Sequence, residues 1–289
     1  MLTKMAEKRE EKRERFVAHC DICGKLMKDE TGWVRFQPKS RGTVAYICPE
    51  CMRVHEYHDK QNLIRWGVND GDTFLYGTEF EIIPKNRASH ALLISRDYGM
   101  LATYDGSISM YGGIEFKSLV YDSLNGVKQI FRTVEENMVF NDNYYENMGT
   151  HIHIGHGTRF TYSFHAWLKF NDCKLFDELG EYLQGHPELC EQVFGRTLTW
   201  YANWPCNYND HESFINVASS TNIEYRIPQF RNATQYFHCV CLCKEFTKAL
   251  LDGYKKDVAP DKISKKLVKL FIKHCNGGMN YQRPERNSK

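Results

Sequence analysis

The stretch Gly149-Thr150-His151-Ile152-His153-Ile154-Gly155 limits the fold of this chain more than any other. Its polar and apolar side chains alternate, the pattern of a half-buried β-strand in which residues two apart share a face. At roughly 3.3 Å rise per residue, His151 and His153 would project the same way, about 6–7 Å apart. Two further stretches repeat the design with acids: Gly77-Thr78-Glu79-Phe80-Glu81 and Ile223-Glu224-Tyr225-Arg226-Ile227. A sheet built from these strands gathers carboxylate and imidazole on one face. Such a face is costly unless cations occupy it, and bound metal is the simplest source of them.

A second metal signal stands near the start. Cys20-Asp21-Ile22-Cys23 and Cys48-Pro49-Glu50-Cys51 are separated by about two dozen residues, the spacing of a tetrahedral four-thiolate site. Between them Trp33–Phe36 and Thr43–Ile47 alternate as two short strands across a Pro38–Gly42 turn. The expectation is a zinc ribbon with Cys20, Cys23, Cys48 and Cys51 on structural Zn²⁺, a unit too small to fold without its metal. A staple is its first role, and contact with a partner protein or nucleic acid is the alternative. With four thiolates supplied, His55 and His58 read as surface histidines.

With 11 cysteines, spaced pairs among them and no secretory pattern, the chain is expected in a reducing, cytoplasmic setting. No apolar run approaches the roughly 18–20 residues of a membrane span, so no membrane partner is expected. A formal net charge of +2 argues for neither nucleic acid nor membrane.

Length allows one sizeable catalytic domain and a small module. The expected division is a charged helical leader over 1–18, the ribbon over 19–58 and a polar connector over 59–72. The larger domain follows over 73–254, then a basic helix and tail over 255–289. Strands are expected at Phe74–Ile83, from Leu101 and at Gly113–Ser118, and around Phe214–Val217. Helices are expected at Tyr121–Glu136, at Tyr162–Gly185 with Trp167, Leu168, Phe170, Leu175, Phe176 and Leu179 as core, and at Tyr236–Tyr254. Cys239, Cys241 and Cys243 fall on the last of these, successive ones about 200° apart, and read as buried thiols rather than ligands. Lysines around Ile263, Leu267, Leu270 and Phe271 predict an amphipathic basic helix.

An ordered set of motifs joins these strands. It comprises Gly-x-Glu-x-Glu at Gly77–Glu81, Asp-Gly-Ser at Asp105–Ser107, Gly-x-Glu at Gly113–Glu115 and Gly-x-His-x-His at Gly149–His153. The Asn216 strand follows, then Glu-x-Arg at Glu224–Arg226 with Arg231 soon after. Over roughly Thr73 to Gly253 the set resembles the amidoligase family, within the glutamine synthetase and glutamate–cysteine ligase superfamily. The ribbon and the basic tail lie outside the resemblance.

The resemblance implies an α+β fold, with a glutamine-synthetase-like antiparallel sheet, flanking helices and a metal-bearing concave face. It implies an ATP-dependent carboxylate–amine ligase that forms an amide or isopeptide bond through an acyl phosphate. Its cofactors would be ATP and Mg²⁺ or Mn²⁺, and its substrates a small amine, amino acid or peptide. By analogy with bacterial and phage relatives, cell-wall-like peptides or peptide tags are the nearest model. Glu79, Glu81, Glu115 and Glu224 would then be metal ligands, with His151 as the imidazole ligand. His153 would lie beside the nucleotide phosphates, Arg226 and Arg231 on the phosphates and the acyl phosphate, and Asp105 and Ser107 on a substrate. Transfer of a phosphoryl group to a carboxylate needs such cations to cancel its negative charge. Two rival classes stay open from the residues: a metal-dependent hydrolase of phosphoester or amide bonds, and a non-catalytic nucleic-acid-binding protein using the ribbon. Oligomeric state is left open.

Overall fold

In a computed structural model the described residues are 18–19, 25–27, 34–36, 45–47, 74–86, 89, 92–93, 100–103, 108, 113–122, 124–139, 148–199, 202–204 and 213–276. Cys20, Cys23, Cys48, Cys51, Asp105 and Ser107 lie outside them, as do residues 1–17 of the leader expected over 1–18, the connector and the last tail residues, while Ala18 falls in a strand.

Two short hairpin pairings border the cysteine pairs in sequence. Strand β1 (Ala18–His19) pairs antiparallel with β2 (Leu26–Met27), and β3 (Val34–Phe36) with β4 (Ala45–Ile47), Val34 facing Ile47. The second pair is the one expected from alternation between the two C-x-x-C motifs. It ends at Ile47, one residue before Cys48.

The rest is mixed α and β. The strands are β5 (Phe74–Ile82), β6 (Leu101–Thr103), β7 (Ile114–Lys117), β8 (Thr150–His156), β9 (Ile215–Asn216) and β10 (Asn222–Tyr225). The helices are α1 (Leu124–Asn137), α2 (Tyr162–Gly185), α3 (Pro187–Phe194), α4 (Ala233–Lys255) and α5 (Pro260–Asn276). Strand order is β6-β7-β5-β8-β10-β9. The β6–β7, β7–β5, β8–β10 and β10–β9 pairings are antiparallel. The chain divides into two compact units: Met1–Ile64, Glu79–Leu119 and Thr133–Met148 form one, and Arg65–Thr78, Val120–Arg132 and Gly149–Lys289 the other. Strand β5 and helix α1 run through both.

In the first unit β7 lies between β6 and β5, with Phe80 facing Phe116 and Glu81 facing Glu115. Period-two alternation buries Phe80, Ile82, Ile114 and Phe116 on one face and turns Glu79, Glu81, Glu115 and Lys117 to the other. Backbone bonds from Val139 N–H to Ile83 O and from Lys85 N–H to Asn137 O tie the end of α1 to the end of β5.

In the second unit β10 lies between β8 and β9. Ile152, Ile154, Ile223 and Tyr225 are no more than 1 % exposed and form the apolar face. Helix α4 packs on β8, and the Tyr225 hydroxyl meets Thr247 Oγ1 of α4 at 2.8 Å. Helix α5 packs on α2 and α4 and buries Ile263, Leu267 and Phe271, while Lys262, Lys265, Lys266 and Lys269 face water. This is the amphipathic division expected of the basic helix. Thr161 caps α2 by accepting from Phe164 N–H, and Asn232 caps α4 by accepting from Gln235 N–H. No helix among the described residues is long and apolar enough to cross a membrane.

One core assignment is corrected. Leu168, Leu175, Phe176 and Leu179 are buried as expected and Trp167 is half-buried, but Phe170 is 87 % exposed. At about 100° per residue Phe170 sits nearly opposite the stripe from Phe164 through Leu168 and Leu175 to Leu179. Hydrophobicity named it as core, whereas helical phase turns it to water.

Candidate functional site

The polar face of the second unit's strands carries the histidine pair. Register sets His153 of β8 opposite Glu224 of β10, and Glu224 opposite Asn216 of β9. His151, two residues before His153, shares that face, as does Arg226, two residues beyond Glu224.

The Glu224 carboxylate is the centre of this group and its side chain is only 12 % exposed. Its Oε1 lies 2.7 Å from Arg226 Nη1 and 3.2 Å from His151 Nδ1. Its Oε2 accepts from Asn216 Nδ2 at 2.9 Å. Arg226 and His151 are both buried, so this charge pair meets little screening and its cost falls on the hydrogen bonds that surround it. Arg226 is anchored in turn through its backbone N–H to Phe214 O at 2.9 Å.

His153 is held differently. Its Nδ1 meets Asn222 Oδ1 at 3.0 Å, while the Asn222 amide nitrogen donates to Ser219 Oγ and Thr221 Oγ1, each at 3.1 Å. In this orientation the Asn222 oxygen faces the histidine, and an amide oxygen only accepts. In the neutral ring Nδ1 therefore carries the hydrogen and Nε2 the lone pair, the arrangement found in metal-binding imidazoles.

In the first unit the acids expected as ligands are already in contact with a protein cation. Lys117 Nζ lies 2.9 Å from Glu79 Oε1 and 3.1 Å from Glu115 Oε1. Burial alone would push the lysine down, but the Glu79 and Glu115 carboxylates outweigh it and hold Lys117 above the ordinary lysine range. Glu81, opposite Glu115, is 1 % exposed. Sequence reading named the acids and missed Lys117, although the alternation Ile114-Glu115-Phe116-Lys117 puts it on their face. Lys117 beside Glu79 and Glu115, and Arg226 beside Glu224, supply positive charge from the protein itself.

Arg231 sits at a turn. Its Nε donates to Gly195 O at 2.9 Å, where Gly195 ends α3 at φ 82°, and Gln229 N–H donates to Phe194 O at 2.7 Å. Phe230 N–H donates to Thr150 Oγ1 at 3.1 Å, closing the segment after β10 onto the start of β8.

Cys239 and Cys243 are buried, and burial pushes both thiols up, so they suit neither metal nor nucleophilic chemistry. Cys241 is half-buried. The reading as buried thiols therefore holds for Cys239 and Cys243 and not for Cys241.

A donor set of carboxylate oxygens with an imidazole nitrogen and no thiolate fits a hard divalent ion such as Mg²⁺ or Mn²⁺. No family model matches this chain, and no curated protein matches it.

Proposed function

We propose that the chain is an ATP-dependent carboxylate–amine ligase of amidoligase type, joining a carboxylate to an amine through an acyl phosphate. The observation that carries the reading is the arrangement of Glu224, held by Asn216, Arg226 and His151 directly opposite His153. One carboxylate, two imidazoles and a guanidinium on one strand pair suit a reaction that concentrates negative charge on phosphate oxygens.

His153 and Glu224, half-buried and opposite each other on β8 and β10, are the pair we assign to a divalent ion. His153 takes the ligand role in place of His151. The Nδ1 of His151 is committed to Glu224, and the ring is 2 % exposed. His151 orients the carboxylate. Glu79, Glu81 and Glu115 keep their proposed role as oxygen donors to metal. A bound divalent ion supplies charge neutralisation at the nucleotide phosphates. Arg226 stabilises the transferring phosphoryl group through its guanidinium. Arg231 supports the turn beside it. Asp105 and Ser107 keep their proposed role at a substrate, and the four cysteines keep theirs on Zn²⁺.

The test is ADP release by purified protein with Mg²⁺-ATP and pooled amino acids, amines and peptides, run beside Glu224→Gln. The expected result is turnover that requires the pool and drops at least about a hundredfold in the variant. A wild type that neither binds nor turns over Mg²⁺-ATP would overturn the reading.

A further inference from the structure

We propose that the outer face of α5 is a docking surface for the phosphate backbone of duplex DNA. The surface is independent of the ligase chemistry proposed above. Helix α5 carries Lys262, Lys265, Lys266, Lys269 and Lys273 against a single acid, Asp261, a net charge of +4 on a chain that carries only +2 in all. At about 100° per residue the five lysines fall within an arc of about 100°, opposite the buried Ile263, Leu267 and Phe271, and Asp261 lies outside the arc. All five are exposed. Lys265 Nζ lies 3.7 Å from Glu178 Oε1 of α2, whereas Lys262, Lys269 and Lys273 form no ion pair among the described residues. Lys262 and Lys266, Lys265 and Lys269, and Lys269 and Lys273 are like charges at i, i+4 spacing, which weakens a helix unless something anionic lies over it.

The stripe from Lys262 to Lys273 is about 16 Å long at 1.5 Å rise per residue. One strand of a duplex presents a phosphate about every 3.4 Å of axis, so this length meets about five of them. Single strands are held by aromatic side chains stacked beside the basic groups. The large apolar side chains exposed among the described residues are Leu92, Tyr162 and Phe170, none of them on α5. Nor can α5 lay an apolar face into a bilayer, because that face is buried on α2 and α4. Duplex RNA is recognised in part through its 2′-hydroxyls. The one hydroxyl residue of α5, Ser264, is fully buried and accepts from Glu178 N–H at 3.0 Å. A row of ammonium groups fixes position on a phosphate backbone and reads no sequence.

To test this, the full chain is titrated onto a short labelled DNA duplex and binding is followed by fluorescence anisotropy. Five phosphate contacts predict that affinity falls several hundredfold between about 50 and about 200 mM salt, a log–log slope of about −4 to −5. The triple variant Lys262→Gln, Lys269→Gln, Lys273→Gln should reduce the steepness of that slope by about 2–3. The corresponding triple arginine variant, which keeps the charge, should hold the wild-type slope. The three side chains are exposed, so both variants should keep the wild-type urea midpoint. A wild type that does not bind DNA at the lowest salt, or a glutamine variant with the wild-type slope, overturns the proposal. So does a preference over DNA for duplex RNA, or for vesicles of phosphatidylcholine and phosphatidylserine, either of which would give the face to another partner.

Discussion

Glu224 shows how little a strand needs to specify a site once its neighbours are placed. Three groups of different chemistry, the Asn216 amide, the Arg226 guanidinium and the His151 imidazole, converge on its two oxygens and hold the carboxylate in place. His153 is oriented by the Asn222 amide in the same way. Replacing Asn222 by Leu removes the acceptor that sets the His153 tautomer and leaves the strand's apolar face untouched. We expect Asn222→Leu to weaken Mn²⁺ binding by about tenfold, the usual penalty for losing the group behind a metal-binding histidine. A Mn²⁺ titration followed by electron paramagnetic resonance measures it, and an unchanged affinity would return His153 to a packing role. The shared face of His151 and His153 is legible from period-two alternation alone. Their division of labour is not, because it is decided by Asn222 and Glu224, which lie about 70 residues further along the chain and meet β8 only through pairing register.

At the scale of elements, helix α2 separates what hydrophobicity announces from what phase decides. Its span, Tyr162–Gly185, agrees with the sequence reading to the residue, because the Thr161 cap and the apolar periodicity both mark it. Phe170 breaks the reading only because a long helix with several aromatics invites counting rather than phasing. The consequence is measurable. Leu168→Ala removes a side chain 1 % exposed and should cost about 2–5 kcal/mol of unfolding free energy. Phe170→Ser, at 87 % exposure, should fall within about 0.5 kcal/mol of wild type. Urea melts of the two variants decide it, and a large loss in Phe170→Ser would mean that the ring is covered in solution. Gly195 offers a second element-scale test. Its φ of 82° suits glycine, and a Cβ there would lie 2.5 Å from Gln229 O. Gly195→Ala should therefore lower the melting temperature and loosen the Gln229–Arg231 turn behind Arg226.

Over the whole molecule, most of the longer strands and helices were readable because each carries its own period, but β1, β2, α3 and the two units were not. Both are assembled from separated stretches of chain, and no local pattern records which stretches pack together. The same holds for the pairing of α4 with α5, which brings together His238 and His274, ring centroids 6.0 Å apart. His274 lies in the last turn of α5, where the helix dipole would favour a positive imidazole. Burial, and then the neighbouring His238, work against it and hold its pKa near about 4. Its Nε2 is buried with no hydrogen-bond partner among the described residues. The folded chain thus prefers the neutral ring, while the unfolded chain takes up a proton near the ordinary histidine value of about 6.5. Between those two values the unfolded state binds more protons, so stability is fully present above about pH 6.5 and falls as the pH drops toward about 4. His274→Gln removes the titrating group, and its urea midpoint should change less than that of wild type between about pH 7 and about pH 5. Equal acid sensitivity in both proteins would place the titration elsewhere and leave the α4–α5 contact indifferent to the charge of His274.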